Sequence, residues 1–279
     1  MEIMHHLALF LSSDRDRQVF GDIGIELEPG AQLPKGGPIS VGLDISEDDP
    51  RWPNVKRLAP KFRPMDTIYT RFLQTELKAA TALVVYASSH RGYPEPSDQL
   101  GFLAATYDLS KYCDKCGIGL RQIRPFRLKS LPSLKRAVMQ LNWVFDEYFV
   151  SSEVWSSVFA PHGIGYWPVV LNGTGREIDT LVQLKIPDYA FLKIEDSIFN
   201  RCDQCGREKA RLQRSGFSPP PLSVPAPLFK STQYFGSDAC ASNLVLMSSS
   251  LYKEITQVGL RGMQFYPCGE TRKAGTPKE

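Results

Sequence analysis

Two short hooks hold four of the six cysteines in this 279-residue chain: Tyr112-Cys113-Asp114-Lys115-Cys116-Gly117 and Arg201-Cys202-Asp203-Gln204-Cys205-Gly206. Each reads Cys-Asp-x-Cys-Gly, and they recur 89 positions apart. Two thiolates separated by two residues reach one small cation, and two such hooks supply the four tetrahedral ligands that Zn²⁺ takes in structural sites. A four-cysteine site is coordinatively full, so its metal holds the chain together and leaves no open position for chemistry. Two separate redox dithiols, or unmetallated thiols, are the alternative uses of the same residues. A redox pair sits most naturally at the start of a helix, and neither hook has a helical pattern behind it. The glycine closing each hook suits a left-handed turn that brings backbone N–H groups toward the thiolates. Cys240 and Cys268 stand alone and read as small buried residues. Three disulfides are the other arithmetic for six cysteines, but secreted disulfide scaffolds are shorter and denser in cysteine.

Other chemistry is sparse. The chain has no Gly-x-x-x-x-Gly-Lys loop, no His-Glu-x-x-His, no Gly-x-Ser-x-Gly elbow and no dinucleotide glycine pattern after a strand. Of the four histidines, His90 and His162 fall in loop-like contexts, where a histidine is either an acid–base group or a surface hydrogen-bonding residue. Basic residues flank both hooks: Lys111, Lys115, Arg121 and Arg124 beside the first, Arg201, Arg207, Lys209, Arg211 and Arg214 beside the second. Zinc knuckles with cationic flanks bind phosphates, which raises a nucleic-acid partner. Against it, 33 basic and 30 acidic residues leave a net charge of only +3.

The elements that must position these groups read as a mixture of strands and short helices. An apolar run at Leu7–Ser12 predicts a strand, stopped by Asp14-Arg15-Asp16-Arg17. From Gly21 to Pro64, glycine and proline punctuate short strands and loops. The spacing of Ile68, Phe72, Leu73 and Leu77 predicts a helix over Asp66–Lys78 with Asp66 as N-cap. Strands are expected at Thr81–Ser88, in the basic stretch from Gly119 to Pro132, at Leu141–Val150 and at Thr180–Ile186. Arg91-Gly92-Tyr93-Pro94-Glu95-Pro96 is a connector or a binding loop. Ser218 to Pro227 is too rich in proline for helix or central strand and reads as an extended surface segment.

One pattern occurs twice. Phe149-Val150-Ser151-Ser152 leads into Val154, Trp155 and Val158, then His162-Gly163 and an aromatic-Pro ending. Leu246-Met247-Ser248-Ser249 leads into Leu251, Tyr252 and Ile255, then Gly259 and Phe265-Tyr266-Pro267. Each reads as strand, serine cap, short helix, glycine stop and second strand, too few copies for a solenoid. The expected fold is therefore α+β, with mixed or antiparallel sheets, short helices, two related strand-helix-strand units and a four-cysteine zinc clasp. The hooks suggest an N-terminal α+β region at 1–109, a clasped α+β domain at 110–270 and a disordered tail at 271–279. No apolar run of eighteen residues and no secretory signal is present, so a soluble, cytoplasmic protein is expected.

The paired hooks, the two Ser-Ser caps and Gly259-Leu260-Arg261-Gly262-Met263-Gln264-Phe265 together resemble the bacterial double-CXXCG motif proteins. The likeness runs from Lys111 to Cys268. Here the first hook lies mid-chain, and aromatic residues close behind Gly117 are absent. Some members of that group are immunity proteins of contact-dependent toxin systems. The resemblance implies a structural Zn²⁺ on Cys113, Cys116, Cys202 and Cys205, and a binding protein that neutralises a cognate toxin by direct contact. A zinc-dependent nucleic-acid-binding or regulatory protein is the alternative, and an enzyme using His90 or His162 the third reading.

Overall fold

Strand β1 (Glu2–Leu11) buries Leu7, Leu9 and Leu11 along one face, the period-two signature of a half-covered strand. It belongs to the first of two compact units into which this computed structural model divides, residues 1–74 with a short return at 215–216. The structure describes residues 1–33, 36–133, 136–194, 199–211 and 215–270. In the first unit β2 (Ala31–Gln32), β3 (Ile39–Ser46) and β4 (Met65–Arg71) join β1 in an antiparallel sheet of order β2-β3-β1-β4. Helices α1 (Asp14–Gly21) and α2 (Trp52–Leu58) contribute Phe20 and Val55 to a core with Leu9, Val41, Leu43 and Ile45.

The charged run stops β1 as expected and is also the first turn of α1, where Ser13 and Asp16 form a reciprocal capping box. One local expectation fails in this unit. The helix expected over Asp66–Lys78 is instead β4 followed by the short α3 (Gln74–Ala79). The β-branched Thr67, Ile68 and Thr70 suit a strand, and β1 offers them an edge in continuous register from Glu2↔Arg71 to Ala8↔Met65. Asp66 caps no helix. Its Oδ2 lies 2.8 Å from His5 Nδ1, while His5 Nε2 faces Glu47 at 3.1 Å and the ring stacks on Trp52.

The second unit takes the chain from Thr75 onward, apart from that return. Its boundary corrects the division expected at 109/110. The cause is β5 (Ala82–Ala87), which the later chain brackets on both sides in its largest sheet. Shorter pieces follow: α4 (Phe102–Thr106), β6 (Tyr107–Asp108), β7 (Arg121–Gln122), β8 (Arg127–Leu128), β9 (Val138–Met139) and β10 (Phe149–Ser151). After α5 (Ser152–Val154) come β11 (Tyr166–Leu171), β12 (Glu177–Leu184), β13 (Tyr189–Ala190), β14 (Phe199–Arg201), β15 (Glu208–Ala210), β16 (Leu228–Phe235) and β17 (Ser242–Ser248). Helix α6 (Ser249–Gln257) and β18 (Met263–Pro267) complete the unit. One sheet runs β8-β11-β12-β10-β9; the larger runs β14-β15-β16-β17-β5-β18 with β13 beside β16; β6 and β7 pair alone. The α+β class with antiparallel and mixed sheets is as expected.

The duplicated pattern extends to geometry and topology. Ser151 and Ser248 are N-caps with nearly identical backbones, φ −65° and −66°, ψ 151° and 153°. Each Oγ accepts from the backbone N–H three residues on, Val154 at 3.2 Å and Leu251 at 3.3 Å. Gly163 and Gly259 follow in left-handed conformations, φ 73° and 66°. In both copies the strand after the helix returns to its own sheet one place away, with a single antiparallel strand between: β10-β12-β11 and β17-β5-β18. Val150, Phe159 and Ile164 from one copy share a core with Met247, Leu251 and Ile255 from the other.

Leu141–Val150 also departs from expectation, since only its last two residues enter β10. Trp143 takes φ 68°, which breaks an extended path, and Gln140 Nε2 donates to the Phe145 carbonyl across the resulting turn. The basic stretch from Gly119 to Pro132 contributes two short strands, β7 and β8, instead of one. The proline-rich segment follows an extended path, with Leu222 N–H donating to Phe191 O and Ser218 N–H to Pro267 O. The tail at 271–279 lies outside the described residues.

Candidate metal centre

Each cysteine hook sits at the end of an antiparallel strand pair, β6 with β7 for the first and β14 with β15 for the second. The two hooks repeat one backbone design. Cys113 N–H donates to Ile118 O at 2.9 Å, and Gly117 N–H to Cys113 O at 2.7 Å. Cys202 N–H donates to Arg207 O at 2.8 Å, and Gly206 N–H to Cys202 O at 2.9 Å. Gly117 and Gly206 close the turns at φ 78° and 73°, a region that glycine enters without a Cβ penalty.

The four sulfurs come together. Cys113 and Cys202 Sγ are 4.0 Å apart, Cys116 and Cys205 Sγ 3.6 Å, and all four lie within 4.8 Å of one another. A tetrahedral Zn²⁺ with Zn–S bonds of about 2.3 Å needs sulfurs about 3.8 Å apart, whereas a disulfide needs about 2.05 Å. The spacing fits a shared cation, and all the cysteines are free thiols. Cys113 and Cys116 are buried against Ile118, with Cys202 and Cys205 on the more open side.

Side chains tie the hooks to each other in matching positions. Lys115 Nζ lies 2.7 Å from Asp203 Oδ1, and Gln204 Nε2 donates to Asp114 Oδ1 at 3.0 Å. Arg207 Nε donates to Cys205 Sγ at 3.4 Å. With the Arg207 backbone N–H and guanidinium beside it, the Cys205 thiol is lowered to about 6, while burial pushes Cys116 up to about 12. A cation held by these sulfurs would displace the proton that burial keeps on Cys116.

Lys209 completes the frame. Only 7% exposed, it donates to the carbonyls of Cys116 at 2.8 Å, Asp238 at 2.5 Å and Cys240 at 3.1 Å. A lysine buried on carbonyl oxygens holds loops, and the sequence had offered it only as a phosphate contact. The neighbouring cations are similarly engaged: Arg121 with Asp108 at 2.6 Å, Arg201 with Gly206 O at 3.0 Å and Arg124 with Ala104 O at 3.5 Å. Arg214 lies outside the described residues.

The remaining sequence candidates stand apart from the cysteines. His162 Nε2 faces Glu254 Oε2 at 2.8 Å, and His90 packs edge-on against Phe145 with ring centroids 6.2 Å apart. Cys268 is buried as expected, and burial pushes its thiol up to about 12. Cys240 is the exception: it is exposed, because the turn after Ser237 carries it outward. Sequence reasoning missed one further group, the ion pair of Lys230 and Glu147, 2.5 Å apart and both nearly buried. The signal available was a lysine inside the otherwise apolar start of β16, Leu228-Phe229-Lys230, which demands a buried partner. No helix among the described residues is long and apolar enough to cross a membrane. No protein-family model matches the chain, and no curated protein matches it.

Proposed function

We propose that this chain is a cytoplasmic zinc-stabilised binding protein, and that it serves as an immunity protein, neutralising a cognate bacterial toxin by direct contact. The observation that carries the reading is the four-sulfur cluster. Four thiolates complete a tetrahedral shell, so the ion acts as a clasp on two hooks 89 positions apart, and recognition falls to the surfaces the clasp positions. The resemblance to double-CXXCG proteins supplies the toxin as the partner. Nucleic-acid binding draws less support, because Lys115, Arg121, Arg124, Arg201, Arg207 and Lys209 are already engaged by carboxylates, carbonyls and a sulfur.

The test joins metal analysis to a growth assay. The purified chain is expected to hold one zinc, and its co-expression to rescue cells from a secreted toxin encoded beside its gene. Less than about half an equivalent of metal, with an unchanged melting temperature in Cys113→Ser, defeats the structural zinc. Retention on RNA or DNA that weakens steeply with salt, without rescue, defeats the immunity reading in favour of the alternative.

A further inference from the structure

Beside the metal centre the second unit encloses a cleft of about 220 Å³ whose lining includes Gly117, Tyr107, Asp146, Glu147, Lys230 and Asn243. On one wall two carboxylates meet one ammonium, while Arg121 and Lys185 also line the cleft. Lys230 Nζ sits 2.5 Å from Glu147 Oε1 and 3.7 Å from Asp146 Oδ2, so a single ammonium faces two carboxylates. Gln183 Nε2 donates to the other Glu147 oxygen at 2.8 Å and fixes that side chain. Asp146 Oδ2 also accepts from Asn243 N–H at 3.3 Å, while Asp146 Oδ1 has no hydrogen-bond partner among the described residues.

Aromatic groups line the same space. Tyr107 is 9% exposed and lies edge-on to Phe126. Its hydroxyl makes no hydrogen bond among the described residues, and neither do those of Tyr189 and Tyr234, which also border the cleft. Burial, with Glu147 and Asp146 next in effect, pushes the Tyr107 phenol well above its ordinary range. The Tyr107 ring is enclosed, but its hydroxyl is open to the cleft, since the buried side-chain polar atom without a partner among the described residues is Thr106 Oγ1. The two rim cations are otherwise occupied: Arg121 pairs with Asp108, and the Lys185 ammonium stands over the Trp167 ring at 5.5 Å.

We propose that this cleft binds the head of an organic cation, a guanidinium or alkylammonium group. Asp146 Oδ1 accepts its hydrogen bond, and the faces and hydroxyls of Tyr107, Tyr189 and Tyr234 surround it. Aromatic faces attract a desolvated cation and leave an anion unrewarded. Size sets the limit, since drug-sized ligands occupy pockets of about 300 Å³ or more. A nucleotide is thereby disfavoured, while the end of an arginine side chain or a small amine fits. The proposal stands apart from the toxin reading and survives its failure.

The experiment titrates the zinc-loaded, ¹⁵N-labelled full chain with the peptide Gly-Arg-Gly, with agmatine, and with acetate and inorganic phosphate as anionic controls. The Trp167 indole N–H serves as reporter. At least one cation is expected to give saturable shifts, weakened about tenfold by Asp146→Asn and also weakened by Tyr107→Phe. Tighter binding of the peptide assigns the group to a protein's basic side chain, and tighter binding of agmatine assigns it to a free amine. Tyr107→Phe keeps the ring packing, so it remains informative if Asp146→Asn fails to fold. The idea is overturned if neither cation saturates, if phosphate or acetate binds instead, or if every folded variant binds as the parent does.

Discussion

Lys209 Nζ donates to the carbonyl oxygen of Cys116 at 2.8 Å, bridging 93 positions of sequence. The same ammonium holds Asp238 and Cys240, so one side chain fastens the first hook to the turn at 237–240 beside the four sulfurs. Lys209→Met keeps the stem and deletes the donors, leaving buried carbonyls unpaired. An unsatisfied buried group costs about 1–3 kcal/mol, so the variant is expected to lose at least that much in urea unfolding. It should also release its metal faster to a chromogenic chelator. An unchanged midpoint and release rate would show that the carbonyls find water instead.

Metal removal should be felt through the whole second unit. Chelation, or Cys202→Ser, is expected to lower the melting temperature and to raise amide exchange in both the β6–β7 and β14–β15 pairs, because each hook is one half of the clasp. Exchange confined to one pair would mean that the hooks do not share an ion.

Glycine requirements differ within the site. A Cβ on Gly119 would stand 1.9 Å from the Lys111 carbonyl oxygen at φ 106°, whereas on Gly206 it would meet only the Arg201 guanidinium at 3.5 Å. Gly119→Ala is therefore expected to impair folding far more than Gly206→Ala, which carries the left-handed penalty of about 1 kcal/mol. Equal melting temperatures for the two would contradict the close approach at Lys111.

In the first unit, acid should unmake one local contact. Asp49 is held down to about 2 by the Arg51 guanidinium and the Arg51 backbone N–H. A carboxyl depressed in the folded state contributes above its unfolded value of 3.8 and loses that contribution as pH falls through about 2. Asp49→Asn should thus be less stable than the parent near neutrality, with the gap closing across that acid window. Melting curves above and below the window decide it, and a gap independent of pH rejects the pairing.

Ser151 and Ser248 permit a matched comparison. Replacing either by Ala is expected to cost about 1 kcal/mol of stability. Similar losses by denaturant titration would follow from their shared geometry, and no loss at either position would mean that the cap hydrogen bonds contribute nothing.

What the sequence disclosed depends on whether the cause was local. The hooks and the serine caps were legible because their residue types act within a few positions. The cysteine cluster was legible because metal ligands announce themselves by chemistry. The strand at Met65–Arg71 was not, since its helical spacing of apolar residues was overridden by a partner strand some sixty positions earlier. The turn at Trp143 was hidden for a related reason: an aromatic, β-branched run reads as strand until Asp146 and Glu147 are seen to face Lys230. Arg207 and Lys209 looked like phosphate ligands because charge alone does not tell which cations are already satisfied.

The placement of β5 bears on how the protein is made. That strand leaves the ribosome well before its neighbours on both sides, β17 and β18. Until they emerge, Ala82–Ala87 is an apolar ribbon with two open edges, the kind of nascent surface that chaperones cover. A chain truncated before Ser242 could not close its largest sheet, whatever its hooks bind.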